Sequence, residues 1–199
     1  NYNVGIGFSS LGSVVAGGVG SVTLTGTAGT SGIGSVGVSN AVVTTSGGAI
    51  NITGATSSTG TSSAGIATNA ALNSAGGNIT LTADSYLGSG TESINAGTGT
   101  VTFKNRTAGT LINLGGSDVA GATGTRALGI TDAELDVITA NALVIGQTGA
   151  TASGDVTVST NINPALTKSL KILSGGNITL NANSVINTLA NGNVVLNSD

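Results

Sequence analysis

The chain has 199 residues and a net charge of −3; charged residues make up only 7% of it, whereas hydrophobic residues reach 39%. Low charge with high hydrophobicity is the reverse of a disordered composition, so the chain can bury a core. The absence of Cys and His excludes disulfides, thiolate metal sites and the commonest general base.

The basic residues and the apolar runs exclude two further classes of protein. Five cations are too few to neutralise a nucleic-acid backbone, and no apolar run approaches the ~20 residues of a membrane helix. The start of the sequence, residues 1–4, lacks the basic and apolar regions of a signal peptide. We expect neither nucleic-acid binding nor a membrane span. The five basic residues are Lys104, Arg106, Arg126, Lys168 and Lys171.

One short pattern recurs along the chain: Gly, then a small residue or Asn, then alternating apolar and polar residues. The alternation has the period of a strand with one buried face. Gly, Asn and Ser at the boundaries suit sharp corners. Short strands of this kind are stable when each pairs with the turn above and the turn below. In chain order the copies span residues 20–25, 34–39, 48–53, 77–82, 99–103, 154–158, 176–181 and 192–197.

The spacing of these copies predicts a coil of stacked strands. Val22, Val36 and Ile50 follow one another at steps of 14 residues, whereas Ile79 to Val101 is a step of 22. Val156 to Ile178 is also a step of 22. A turn of roughly 20–25 residues, with three strands and three corners, is typical of a solenoid. We expect about nine turns and a rod about 40–45 Å long.

The alternation breaks between Gly115 and Thr139. Within this stretch, Thr131 followed by Glu134 has the form of a capping box, and Ile130 and Leu135 occupy the two hydrophobic-staple positions. The sequence predicts a short helix from about Asp132 to Ala140, inside an irregular or helical insertion over residues 115–140. Strands are expected to resume at Leu143-Val144-Ile145.

These motifs resemble the filamentous-haemagglutinin family of large exoproteins. The resemblance rests on Gly-Gly-Asn-Ile-Thr-Leu at 76–81 and 175–180 and on Gly-Asn-Val-Val-Leu at 192–196. The segment 127–146 is similar to a block that recurs in such repeat regions. The resemblance implies a right-handed parallel β-helix, export from a bacterium, and a role in adhesion, biofilm formation or toxin delivery. It also implies that the chain is an internal or carboxy-terminal piece of a larger exoprotein.

The eight acidic residues are the first candidates for chemistry, because β-helix glycosidases use clustered carboxylates. Only Asp132, Glu134 and Asp136 cluster in the sequence, and on a helix their side chains would not converge. Calcium is a second option, but no Gly-Gly-x-Gly-x-Asp loop is present. The simpler interpretation is that the three isolated acids are corner residues that hydrogen-bond their own backbone. These acids are Asp84, Asp118 and Asp155.

Threonine pairs and glycosylation sequons offer weaker alternatives. Thr-x-Thr rows on a flat face can order water, and Thr23/Thr25, Thr80/Thr82 and Thr100/Thr102 have that form. Thr is also a common outward strand residue. Four Asn-x-Thr sequons, at Asn51, Asn78, Asn105 and Asn177, are interpreted as structural. Lys104 and Arg106 could contact an anionic glycan, although exposed charges are more often only solvated.

The sequence therefore predicts an all-β fold, a right-handed parallel β-helix (β-solenoid) with a short helical insertion near 131–140, as a single domain over 1–199. We expect a non-catalytic extracellular stalk or adhesin segment, secreted or at the bacterial surface, without cofactor, metal or catalytic residues. Its expected partners are a cell-surface glycan or protein, or a second copy of itself. The alternatives are a self-assembling filament subunit and an ice- or polysaccharide-binding module.

Overall fold

A computed structural model describes residues 3–8, 12–29, 33–60, 62–119 and 126–199. Within these ranges the chain is almost entirely β, with 19 strands and one five-residue helix. The expectation of an all-β chain is confirmed. The elements are β1 Val4–Ile6, β2 Ser13–Ala16, β3 Val22–Thr27, β4 Val36–Ser39, β5 Val42–Thr45, β6 Ile50–Ala55, β7 Ala64–Thr68, β8 Leu72–Asn73, β9 Ile79–Thr82, β10 Tyr86–Gly88, β11 Ile94–Asn95, β12 Thr100–Lys104, β13 Leu111–Leu114, β14 Ala127–Ile130, α1 Asp132–Asp136, β15 Ile138–Ile145, β16 Val156–Val158, β17 Thr167–Ser174, β18 Ile178–Leu180 and β19 Val194–Ser198.

Each of the first twelve strands pairs with the strand three places before or after it in the chain, so these strands form three columns. The first column is β1-β4-β7-β10, the second is β2-β5-β8-β11 and the third is β3-β6-β9-β12. All pairings between these strands are parallel. β15 is long enough to extend both the second and the third column, and β17 and β19 continue the third. The remaining strands form a separate parallel sheet, β14-β13-β16-β18, which we call the distal sheet.

The predicted turn of roughly 20–25 residues is found at two places, whereas the turns from Val22 to Ile50 and from Ile50 to Ile79 are longer. Ile79 pairs with Val101, and Val156 pairs with Ile178, so each step of 22 residues is one full turn. Val22 pairs with Ile50, while Val36 lies in the first column. Two steps of 14 therefore make one turn.

The number of turns is smaller than predicted. The third column holds seven described strands, against about nine expected turns. Val101 pairs with Leu143, and the chain between these two residues also forms β13, β14 and α1. That turn is almost twice the predicted length.

The core is a set of in-register rows of aliphatic side chains. One row of the third column runs Val22, Ile50, Ile79, Val101, Leu143, Leu170, and the next runs Leu24, Ile52, Leu81, Phe103, Ile145, Ile172. All but Leu24 are buried. Each fully buried Ile or Leu contributes about 1.5–3 kcal/mol relative to exposure.

The two rows continue into β19, where Val194 and Leu196 follow Leu170 and Ile172. These two side chains are 43% and 46% exposed. The last described strand therefore leaves its apolar face uncovered.

The insertion is partly as predicted. Thr131 is the N-cap of α1, and the reciprocal capping box with Glu134 is present. The predicted end of the helix is wrong: α1 ends at Asp136, and β15 already begins at Ile138, whose side chain is fully buried and pairs with Ile94. Burial of this apolar residue on a strand outweighs one more helical turn.

The irregular stretch also conceals a strand. β14 is buried at all four positions, including Gly129. A strand covered on both faces needs no outward polar residue, which is why the alternation disappears there. Residues 120–125, also within the predicted insertion, lie outside the described residues.

Candidate functional site

The most unusual feature of the stacked strands is the gap between β10 of the first column and β14 of the distal sheet, which we call the seam. The two strands lie next to each other, yet no backbone pairing joins their described residues. Two carboxylates bridge them instead. Asp118 accepts the Tyr86 N–H at 2.8 Å on one oxygen and the Gly129 N–H at 2.7 Å on the other.

Glu134 repeats the same arrangement two residues further along each segment. Its Oε1 accepts the Gly88 N–H at 2.7 Å, and its Oε2 accepts the Thr131 N–H at 2.8 Å. The capping box therefore does more than start α1, because it aims the Glu134 side chain at β10. All four oxygens of the two acids receive peptide N–H groups that backbone carbonyls would otherwise satisfy.

Two glycines make room for the carboxylates. A Cβ on Gly88 would lie 2.8 Å from Glu134 Cγ and 2.6 Å from a Glu92 oxygen. A Cβ on Gly129 would lie 2.0 Å from the carbonyl carbon of Ser117, the residue before Asp118. A side chain at either position would displace the neighbouring carboxylate from the seam.

Glu92 and Tyr86 form a second buried polar group beside the seam. Glu92 Oε1 accepts hydrogen bonds from the hydroxyls of Thr68 at 2.8 Å and Tyr86 at 3.2 Å. Its Oε2 accepts from the Ser89 hydroxyl at 2.6 Å. Burial acts to raise the pKa of Glu92, but hydrogen bonds from the Ser89 and Thr68 hydroxyls and from the backbone N–H groups of Glu92 and Thr91 lower it overall. Burial raises the pKa of Tyr86 well above its ordinary value.

Burial also dominates at Asp118. It raises the pKa of this carboxyl to about 7, against the opposing effect of the N–H groups of Gly129 and Tyr86. The negative charge of Glu134 acts in the same direction as burial. The seam therefore holds a carboxyl group with a pKa of about 7.

Asp84 forms a separate group of contacts, after β9. Its Oδ1 accepts the N–H groups of Arg106 and Thr107, both at 2.8 Å, and the Thr110 hydroxyl at 3.0 Å. Its Oδ2 lies 3.2 Å from a guanidinium nitrogen of Arg126. Burial acts to raise the pKa of Asp84, but the hydrogen bonds from Thr107, Thr110 and Arg106 lower it.

These contacts correct the prediction for the isolated acids. Asp84, Asp118 and Asp155 were expected to hydrogen-bond their own backbone. Each instead accepts N–H groups from residues distant in sequence, Asp155 from Asn177 at 2.7 Å. In a stacked coil, the nearest unpaired N–H groups belong to the adjacent turn.

The acids of α1 contact different segments. Asp132 accepts the Asn163 N–H at 2.6 Å and Asp136 accepts the Ala165 N–H at 3.1 Å, whereas Glu134 faces the seam. Among the described residues, no group of three or more acids is placed to hold a metal ion. Within the same ranges, no helix has the length and hydropathy to cross a bilayer.

A polar groove runs along the outside of the seam. It consists of two adjoining cavities of about 270 and 330 Å³, which share Ser62, Ser63 and Asp118. Serine hydroxyls dominate its lining, together with Arg126 at one end and Glu134 at the other. Such a surface can hydrogen-bond a hydroxylated ligand. Its carboxylates, however, are already engaged by the peptide groups that they hold together.

The outer face of the third column carries two threonine rows in register. One row is Thr23, Asn51, Thr80, Thr102, and the other is Thr25, Thr53, Thr82, Lys104. Thr100 does not belong to either row. Its N–H donates to the Asn78 side chain, and Lys104 occupies the place beside Thr82. The residues that correspond to the Thr80/Thr82 pair are therefore Thr102 and Lys104, not Thr100 and Thr102 as the sequence suggested.

The sequons fall at different places. Asn105 is fully buried, and its side-chain amide donates to the carbonyls of Thr107 and Thr151. Asn78 and Asn177 are exposed, while Asn51 is half-buried on the threonine face. Lys104 is half-buried and Arg106 is exposed.

Sequence reasoning did not identify the seam. Asp118 lies 32 residues from Tyr86, and no pattern in either segment relates them. The only sequence signal was the capping box, which located Glu134 but not its contact with Gly88. Comparison of the chain with family models, curated proteins and solved structures gave no significant match.

Proposed function

We propose that the chain is a right-handed parallel β-helix that serves as a non-catalytic, extracellular structural or adhesive segment of a bacterial surface protein. The observation that carries this proposal is the third column, in which paired strands and two aliphatic rows continue through successive turns. An array of this kind extends by adding turns, each of which contacts only its neighbours. It is suited to spanning distance.

The contacts of three of the acids support the same proposal. Asp84, Asp118 and Glu134 each receive several hydrogen bonds from the protein itself. A catalytic pair needs one acid and one base facing a reacting bond. The carboxylates of the seam face peptide N–H groups on both sides, which favours a structural role. The Gly-Asn-Ile-Thr-Leu motifs, which resemble those of exported adhesins, support the extracellular location.

Attachment to coated surfaces tests the adhesive role. Polystyrene beads carrying the purified chain are expected to retain epithelial cells or bacteria, and soluble chain is expected to compete. Beads carrying heat-denatured chain provide the control. Cleavage of a polysaccharide by the purified chain, abolished in Asp118→Asn or Glu134→Gln while folding is retained, would overturn the proposal in favour of an enzyme.

Negative-stain electron microscopy of the same preparation separates the adhesive segment from a self-assembling filament. Separate short rods over a range of concentrations agree with the segment. Fibres that lengthen with concentration would favour the filament, with the uncovered Val194 and Leu196 as the first residues to substitute.

A second candidate is an ice- or polysaccharide-binding module, favoured by the in-register threonine rows. Strands about 4.8 Å apart, with same-face side chains about 6.7 Å apart along each strand, give a flat and regular array of hydroxyls. Thermal hysteresis or retention on a polysaccharide column that is lost in Thr53→Lys/Thr80→Lys would support it. The matched control is Thr157→Lys, on the distal sheet. Equal behaviour of both variants would exclude the threonine face.

A further inference from the structure

At the seam, the first column and the distal sheet lie side by side without backbone pairing between their described residues. Elsewhere, neighbouring strands exchange backbone hydrogen bonds directly. At the seam, Asp118 and Glu134 take the place of the missing carbonyl acceptors. Both acids enter the same gap, and the negative charge of Glu134 acts to raise the pKa of Asp118.

The surroundings of Asp118 are rich in acids. Glu134 faces it from α1, and Tyr86 faces it from β10 through the Tyr86 N–H, while Glu92 lies behind Tyr86. Arg126 lines the same groove but forms its ion pair with Asp84. The negative charge of Glu134 disfavours a second charge on Asp118, so Asp118 retains its proton to a higher pH than an isolated aspartate does.

We propose that the seam is a proton-controlled joint, which is closed while Asp118 is protonated and loosens when Asp118 is ionised. When Asp118 is protonated, its carboxyl group lies between the Tyr86 and Gly129 N–H groups without adding a charge to the seam. Loss of that proton adds a negative charge beside that of Glu134, and repulsion then favours separation of β10 from β14. Opening lets water solvate both carboxylates and exposes the edge N–H groups of Tyr86, Gly88 and Gly129.

The direction of the pH dependence follows from burial. The pKa of Asp118 is raised to about 7 in the folded chain, above the ordinary value of 3.8. The folded state therefore binds this proton more tightly than the unfolded state. The stabilising contribution of the protonated seam is complete below about pH 4 and is lost as the pH rises to about 7. Asp84 and Glu92, whose pKa values are lowered, act only at pH values below this window.

Amide hydrogen exchange by NMR tests the joint directly. After correction for the intrinsic exchange rate, protection of the Tyr86 and Gly88 amides is expected to fall at least about tenfold between pH 5.5 and 8.5. The Ile50 and Ile79 amides of the third column, measured in the same sample, report any global loss of stability. Protection of Tyr86 and Gly88 that is unchanged over this range, or that falls only in parallel with Ile50 and Ile79, would overturn the proposal.

Two variants and one titration complete the test. Asp118→Asn removes the titrating group and is expected to abolish the pH dependence at Tyr86, whereas Asp155→Asn, at an exposed turn, is expected to retain it. The carboxyl ¹³C shift of Asp118 in the unaltered chain gives an independent answer should Asp118→Asn fail to fold. A midpoint near 7 supports the joint, and a midpoint near 4 overturns it.

Discussion

The carboxylate of Asp84 lies 3.2 Å from the guanidinium of Arg126 and, on its other oxygen, accepts two consecutive peptide N–H groups of the next turn. The Asp84 side chain thus connects its own segment with the one that contains Arg106 and Thr107 and with the one that contains Arg126. Arg126 immediately precedes β14, and Arg106 follows β12. This corner joins the third column to the distal sheet.

Removal of the Asp84 carboxylate is expected to destabilise the chain. Asp84→Ala leaves two N–H groups and a guanidinium without this acceptor, at a cost of about 2–4 kcal/mol in the free energy of unfolding. Urea denaturation followed by circular dichroism measures the loss. Asp155→Ala, which removes one hydrogen bond at an exposed site, is the control and should cost less than about 1 kcal/mol.

The same residue predicts a pH dependence in acid. Hydrogen bonds hold the pKa of Asp84 below its ordinary value of 3.8, so its stabilising contribution is present above about pH 4 and is lost as the pH falls through the lowered pKa. Urea midpoints measured from pH 5 to pH 2 should therefore fall more steeply for the unaltered chain than for Asp84→Asn. Parallel curves would contradict this role for Asp84.

Phe103 is expected to be the most sensitive residue of the aliphatic rows. It is 1% exposed, and its ring meets that of Tyr86 edge to face, with centroids 5.0 Å apart. Phe103→Ala creates a cavity in a narrow core and should cost about 3–5 kcal/mol. Leu87→Ala, on the adjoining β10 but 44% exposed, should cost about 0.5 kcal/mol or less. Similar losses in the two variants would show that the rows are not closely packed.

Gly54 provides a steric test of how closely the columns approach. A Cβ at this position would lie 1.9 Å from the Gly65 carbonyl oxygen, which is backbone and cannot move aside. Gly54→Ala should therefore destabilise the chain by about 3 kcal/mol. At Gly17 a Cβ would meet nothing within 4 Å, so Gly17→Ala should leave the thermal midpoint unchanged or raise it slightly. Equal midpoints for the two variants would contradict the close contact of β6 with β7.

The repeat could be recognised from the sequence because its signal is local. Ile79 and Val101 occupy the same position in two copies of one pattern, and their separation equals one turn of stacked strands. The alternation of the third column was equally visible, since each of its strands has one inward and one outward face.

The distal sheet and the seam could not be recognised in the same way. β14 lacks alternation because it is covered on both faces, and its partner β13 precedes it by an irregular connection. Asp118 acts on Tyr86 and Gly129, whose positions depend on how β14 is placed between β10 and β13. Local patterns predict strands and caps, whereas a carboxylate that substitutes for a missing backbone partner depends on the topology as a whole.

Engineered disulfides between turns test the parallel stack most directly, because the chain contains no cysteine of its own. Thr80 and Thr102 are neighbours in register on β9 and β12, and Cα atoms about 4.8 Å apart suit a disulfide. Thr23 lies on β3, three strands from Thr102 in the same column. Under mild oxidation, Thr80→Cys/Thr102→Cys should close an intramolecular disulfide, and Thr23→Cys/Thr102→Cys should remain reduced. A reduced first pair, or closure of the second pair as readily as the first, would contradict the stacked register.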